Sequence, residues 1–154
     1  HRKRIERRAR QRKQHQQNIK HAKAKGHANV LRYEARVRLK RSRKKRADTI
    51  DLCGLAIQTF PDALLKAPFV ATLRDLDLGL NELEEIPFDI KSLSKTLTRL
   101  VLETNQLTDV PVQMWYLVNL RELYLSNNRL EELARKKGNM QILREMNLWE
   151  LGIE

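Results

Sequence analysis

The sequence predicts an α/β solenoid preceded by a long basic arm, and two observations carry that expectation. The first is an internal repeat of apolar residues, an asparagine and a proline that returns every 23 or 24 residues through the second half of the chain. The second is a sharp partition of charge. Residues 1–46 hold 20 Lys or Arg against two acids, Glu6 and Glu34, and carry a net +18, whereas residues 47–154 hold 11 bases and 17 acids and carry −6. The expected division is therefore a basic arm over 1–46 and a repeat domain over 47–154. A basic segment beside an acidic one points to contact with a polyanion.

The arm comes first in the chain. It has no proline, one glycine (Gly26), and many Arg, Lys, Gln and Ala, all good helix formers. Before Gly26 its only large apolar side chains are Ile5 and Ile19, too few for a core, so partial disorder that becomes helix on a partner is expected. After Gly26 the pattern changes. Val30, Tyr33 and Val37 fall on one helical stripe, with Leu31, Ala35 and Leu39 close to it. That stripe either packs on the open end of the repeat domain as a lid or docks another subunit.

The repeat then takes over. Leu73, Leu76, Leu78, Asn81, Leu83, Ile86 and Pro87 set the pattern L-x-x-L-x-L-x-x-N-x-L-x-x-I-P. Leu97, Leu100, Leu102, Asn105, Leu107, Val110 and Pro111 restate it, as do Leu120, Leu123, Leu125, Asn128, Leu130 and Leu133, with Ala134 in place of proline. Leu143, Met146, Leu148 and Ile153 begin a fourth copy in which Leu151 replaces the asparagine. This copy reads either as a terminal cap or as a coil that continues past Glu154. Upstream, Ile50, Leu52, Ile57, Phe60 and Pro61 form a degenerate copy with Leu55 at the asparagine position. Leucines at alternate strand positions point one way, into a core. An asparagine in the buried turn can bond neighbouring backbone groups through both its amide and its carbonyl. Left unpaired, each such group would cost roughly 1–3 kcal/mol. A single copy cannot bury its own apolar face, so about three are required.

This pattern resembles the leucine-rich repeat family over about two thirds of the chain. The resemblance implies a short slab with parallel strands on a concave face and short helical or irregular segments on the convex face. Ile90 with Leu93, and Met114 with Leu117, would face inward from the convex segments. Lys137 breaks that rule and marks residues 135–139 as an exposed loop.

Catalytic chemistry finds no support in the sequence. The four histidines (His1, His15, His21, His27) all lie in the arm, apart from Cys53, so neither a metal site nor a Cys–His nucleophile is formed. Cys53 is expected on an outward strand position. Glu84–Glu85 and Glu131–Glu132 read as solvated turn residues, and no glycine-rich phosphate loop is present. The expectation is a non-enzymatic protein with no cofactor, no metal and no small-molecule substrate. A single cysteine allows no internal disulfide and fits a reducing, intracellular compartment: cytoplasm, mitochondrion or nucleus. The chain has neither an apolar run long enough to span a membrane nor a signal-peptide core in its first 30 residues. It starts at His1, so targeting residues can precede it.

Two binding surfaces are expected. On the arm, Arg2, Lys3, Arg4, Arg7, Arg8, Arg10, Arg12 and Lys13 form one basic cluster. Arg36, Arg38, Lys40, Arg41, Arg43, Lys44, Lys45 and Arg46 form another. Twelve of the arm's 20 bases are arginine, whose planar fork suits phosphate, and neutralising several phosphates would give salt-sensitive affinity for structured RNA. On the concave sheet the outward residues are Asp75 and Asp77, then Arg99, Val101 and Glu103, then Glu122 and Tyr124, then Glu145 and Trp149. Their acidic bias suits a basic protein, or the chain's own arm. The function this implies is a structural or assembly subunit of a large ribonucleoprotein, a cytosolic or mitochondrial ribosome being the commonest setting by analogy. The arm would lie on RNA and the repeats on protein. The alternative is a cytoskeletal or axonemal adaptor with its arm on tubulin.

Overall fold

A computed structural model of the chain describes residues 28–130. The sequence expectations for residues 1–27, for the fourth repeat copy and for the loop at 135–139 lie outside the described residues.

Four short strands form one parallel sheet in sequence order: β1 (Thr49–Asp51), β2 (Asp75–Asp77), β3 (Arg99–Val101) and β4 (Glu122–Tyr124). The register places Thr49, Asp75, Arg99 and Glu122 side by side, and likewise Asp51, Asp77, Val101 and Tyr124. Between them Ile50, Leu76, Leu100 and Leu123 point into the core, each at most 3 % exposed. The period of the leucines is thus the period of the coils.

Each coil returns through a 3-10 turn that opens on proline: Asp62–Leu65 after Pro61, Phe88–Leu93 after Pro87, Val112–Tyr116 after Pro111. The pyrrolidine ring fixes φ near −65°, which sets the direction in which the chain enters the turn. Ile90, Leu93, Met114 and Leu117 are buried beneath these turns, as the convex-face expectation required, and Leu64 is buried in the same way beneath the first. The first coil adds a short helix, Phe69–Thr72, that buries Phe69.

The asparagine ladder is present in full among these coils. Asn105 Nδ2 donates to the carbonyls of Leu78 and Leu102 at 3.0 Å, and its Oδ1 accepts from the Leu83 amide at 3.0 Å. It therefore ties its own coil to the one before. Asn81 does the same with Leu52, Leu78, Leu55 and Ile57, and Asn128 with Leu102, Leu125 and Leu107. The residue ahead of each asparagine (Leu80, Thr104, Asn127) has φ of 56–57°, in the left-handed region. A side chain costs about 1–2 kcal/mol there. The turn accepts this because it aims the next residue's amide into the slab.

A helix, α1 (Ala28–Lys45), covers the open side of the first coil. It packs through Leu31, Ala35 and Leu39, with Ala35 only 5 % exposed. A helix was expected, and of its two readings the lid is the one seen, but the stripe is displaced. Val30 and Tyr33 are 62 % and 68 % exposed, and Val37 is half-buried. The reason is spacing. Leu31, Ala35 and Leu39 recur every four residues, and alanine at the centre lets the helix approach the slab closely.

Two arginines complete the lid. Arg32 Nε donates to the Ala56 carbonyl at 3.1 Å, and Arg38 Nη1 donates to the Asp51 carbonyl at 3.2 Å. These bonds reach carbonyls of the terminal coil, which has no preceding coil to pair with. The helix ends in a Schellman closure. The Ala47 amide bonds the Ser42 carbonyl and the Arg46 amide bonds that of Arg43, with Arg46 left-handed at φ 48°.

Candidate functional site

The described half of the concave face is built on β2, β3 and β4, and its centre is Arg99. The register sets Arg99 between Asp75 and Glu122. Its Nη1 donates to Asp75 Oδ1 at 2.7 Å, and its Nε donates to Glu122 Oε2 at 3.0 Å. The guanidinium also lies 5.4 Å from the centre of the Tyr124 ring, within cation–π reach. Tyr124 Oη in turn donates to Glu122 Oε2 at 3.1 Å. One arginine thus clasps three successive coils.

Burial opposes the charge of Arg99 and is the largest single influence on it. The Asp75 hydrogen bond and the charges of Asp75, Asp77 and Glu122 outweigh it, and together they hold its pKa above the ordinary arginine value. The guanidinium therefore keeps its charge at any working pH.

Two of the expected outward residues are not available at the surface. Arg99 is 8 % exposed and Val101 fully buried, whereas Asp75, Asp77, Glu103, Glu122 and Tyr124 are half-buried. Sequence reasoning assigned the alternate residues of each strand to one face but took outward to mean accessible. On a concave sheet with strands only about 4.8 Å apart, side chains of neighbouring coils crowd together. Cys53 shows a similar departure. Its amide is held by Asp51 Oδ1 at 2.9 Å as the chain leaves β1, and the residue is buried rather than exposed. Glu145 and Trp149 lie outside the described residues.

The basic cluster on α1 divides by face. Arg36, Lys40, Arg41, Arg43, Lys44, Lys45 and Arg46 are exposed. Arg38 instead turns toward the slab, bonded to Asp51 and paired with Glu34 at 2.9 Å. Arg43, Lys44 and Lys45 occupy the last turn, where the helix dipole favours positive charge. Arg2, Lys3, Arg4, Arg7, Arg8, Arg10, Arg12 and Lys13 lie outside the described residues.

Apolar exposure on the convex side goes beyond the sequence expectation. Phe88 and Val112, each just after the proline of its coil, are exposed, as are Tyr116 and Val118. The signal was available: Phe88 and Val112 follow the repeat's proline and neither fits the inward pattern. Among the described residues no helix is long and apolar enough to cross a membrane, and no group of three or more metal-ligating side chains is present.

Parallel strands in register, an asparagine ladder and proline-led convex turns are the marks of a leucine-rich repeat, and the comparisons support that reading for the repeat region. The family model for Leucine rich repeat matches residues 71–130. Among similar proteins, Chaoptin of Drosophila melanogaster is 36 % identical over 84 residues, 54 % of this chain and 6 % of its own length. The Malignant fibrous histiocytoma-amplified sequence 1 homolog of Xenopus tropicalis is 43 % identical over 60 residues, 38 % of this chain and 6 % of its own. The Probable serine/threonine-protein kinase pats1 of Dictyostelium discoideum is 28 % identical over 134 residues, 69 % of this chain and 4 % of its own. The chain thus spans only a small part of each relative. The likeness carries the repeat, which generally serves protein–protein contact without catalysis.

Proposed function

We propose that the protein is a non-catalytic structural or assembly subunit of a large ribonucleoprotein, holding RNA through its basic arm and a protein neighbour through its repeats. The observation that carries this reading is the two-faced character of α1. One face is fastened to the slab by Leu31, Ala35, Leu39, Arg32 and Arg38. The other presents Arg36, Lys40, Arg41, Arg43, Lys44 and Lys45 to solvent. A merely solubilising tail does not need such anchorage. A phosphate-binding helix benefits from it, because charges held on a packed element lose little entropy on binding.

The concave face, with its acidic rim and Tyr124 beside the Arg99 clasp, is the surface proposed for a basic protein neighbour. No catalytic role, cofactor or small-molecule substrate is proposed for either surface.

Removing residues 1–46 would also strip the lid from the first coil, so neutralisation tests the reading more cleanly. Arg36→Gln, Lys40→Gln, Arg41→Gln and Arg43→Gln together leave the packing face intact. In the full chain they are expected to weaken binding to structured RNA by at least tenfold at 0.15 M salt. The log–log salt slope should fall by about 3, at roughly 0.7–0.9 for each phosphate no longer neutralised. Equal affinity of the unaltered chain for microtubules or heparin would remove the RNA assignment and put the cytoskeletal adaptor ahead.

A further inference from the structure

The repeat slab is acidic in total, but its charges are sorted by edge. The position just before each strand lies at the same end of the sheet in every coil, and it is occupied by Asp48, Arg74, Thr98 and Arg121. Here the slab carries a groove of about 560 Å³. Arg46, Arg74, Lys95 and Arg121 line it, with Asp48 as the only acid. Thr72, Thr96, Thr98 and Asn119 supply the polar remainder.

The floor of this groove is fixed from within. The amides of Arg74 and Asp75 bond the Asp48 carbonyl, those of Thr98 and Arg99 bond the Arg74 carbonyl, and those of Arg121 and Glu122 bond the Thr98 carbonyl. Thr98 Oγ1 donates to the Arg74 carbonyl at 3.0 Å, and Asn119 Nδ2 donates to that of Lys95 at 2.9 Å. What the fold leaves uncommitted is the charge. Among the described residues none of Arg46, Arg74, Lys95 and Arg121 forms a salt bridge, and Thr96 Oγ1, shielded from water, has no hydrogen-bond partner. Three arginines and a lysine share the groove with a single acid, an excess of positive charge that a bound anion would offset.

We infer that this groove is a second RNA contact, taking the sugar–phosphate backbone of the strand that α1 holds. The inference rests on the RNA reading above and extends it onto the repeat domain. Continuity supports it, because Arg46 both closes α1 and lines the groove, so the basic end of the helix runs into it. Size supports it as well. From the first coil to the fourth is three strand spacings, roughly 14 Å at about 4.8 Å each. That length spans several successive phosphates of one strand. Arg, Lys, Thr and Asn all donate to phosphate and sugar oxygens, and among the described residues no aromatic side chain lines the groove for a base to stack on. The contact is therefore assigned to the backbone of the strand.

The test compares three full-length proteins: unaltered, Arg74→Gln/Arg121→Gln, and Lys91→Gln/Arg129→Gln as a control for exposed bases outside the groove. Thermal melts confirm that each is folded, and affinity for one structured RNA is measured across a salt series. The groove variant is expected to bind about tenfold more weakly at 0.15 M salt, with a slope lower by about 1.5, equivalent to two phosphates. The control should stay within about twofold of the unaltered chain. If the unaltered chain binds steeply and the groove variant matches the control, the groove inference is overturned while the arm reading stands. Should the unaltered chain show no preference for RNA over heparin, the arm reading fails first and the RNA assignment of the groove goes with it.

Discussion

The first coil and the third solve the same problem with different partners. In the third coil Asn105 sits in the turn and pairs backbone groups of its own coil and of the second. In the first, Leu55 takes that position, and the amides of Leu55 and Ile57 are served by Asn81 of the next coil. The far side of the first coil has no neighbour to supply donors. There α1 substitutes, Arg32 and Arg38 reaching the carbonyls of Ala56 and Asp51. A repeat in the middle of a solenoid is completed by its own kind, whereas a terminal one must recruit something else. In this chain the recruit comes from the basic segment, so two of its arginines are structural and several others remain free for a ligand.

Asn105→Ala should mark the strongest side of that contrast. It orphans the Leu83 amide and removes one of the two asparagine donors from the Leu78 and Leu102 carbonyls, which keep Asn81 and Asn128. We expect a loss of about 3 kcal/mol in a denaturant melt, from one unpaired buried group at roughly 1–3 kcal/mol and two lost bonds at about 0.5–1.5 kcal/mol each. A loss below about 1 kcal/mol would mean that the ladder is ornamental. Ala35→Glu attacks the terminal solution by forcing a carboxylate into the packed face of α1. An expected cost of about 2 kcal/mol, from burying a polar group without a partner, should appear with faster hydrogen exchange at Ile50 and Leu52. Unchanged exchange there would show that the helix does not close the first coil. Arg38→Ala is the mildest change, because its bonds are exposed; roughly 0.5 kcal/mol is expected for an exposed charged contact, and a cost near that of Asn105→Ala would erase the distinction between the two ends.

Much of this was legible beforehand. The leucine period located every strand, and the asparagines at 81, 105 and 128 announced the ladder because an amide side chain of that reach offers both donor and acceptor. Prolines 61, 87 and 111 marked the starts of the convex turns. The lid helix was readable as a helix but not in its rotation. Val30, Tyr33 and Val37 looked like a stripe because apolarity alone was counted, whereas the slab selected the small residue Ala35 for close approach. The left-handed residues Leu80 and Thr104 gave no warning, since neither is a residue type that seeks that conformation. Arg46 at the helix end, where glycine is usual, was silent for the same reason.

The edge groove shows the deeper limit. Arg46, Arg74, Lys95 and Arg121 are spread over 76 residues of sequence, each in an ordinary context, and the last three fall within residues 47–154, whose total of −6 argues against a basic site there. Stacking brings one position of each coil to a single edge, so charge that is diluted along the chain becomes concentrated in space. By itself the sequence determined the period, the inward faces and the partition into a basic and an acidic part, because these follow from local pattern and composition. Only the tertiary structure decided which outward side chains are accessible, which arginines are bound to the fold, and where like charges collect. Those depend on the distance between coils, and no spacing along the chain encodes that distance.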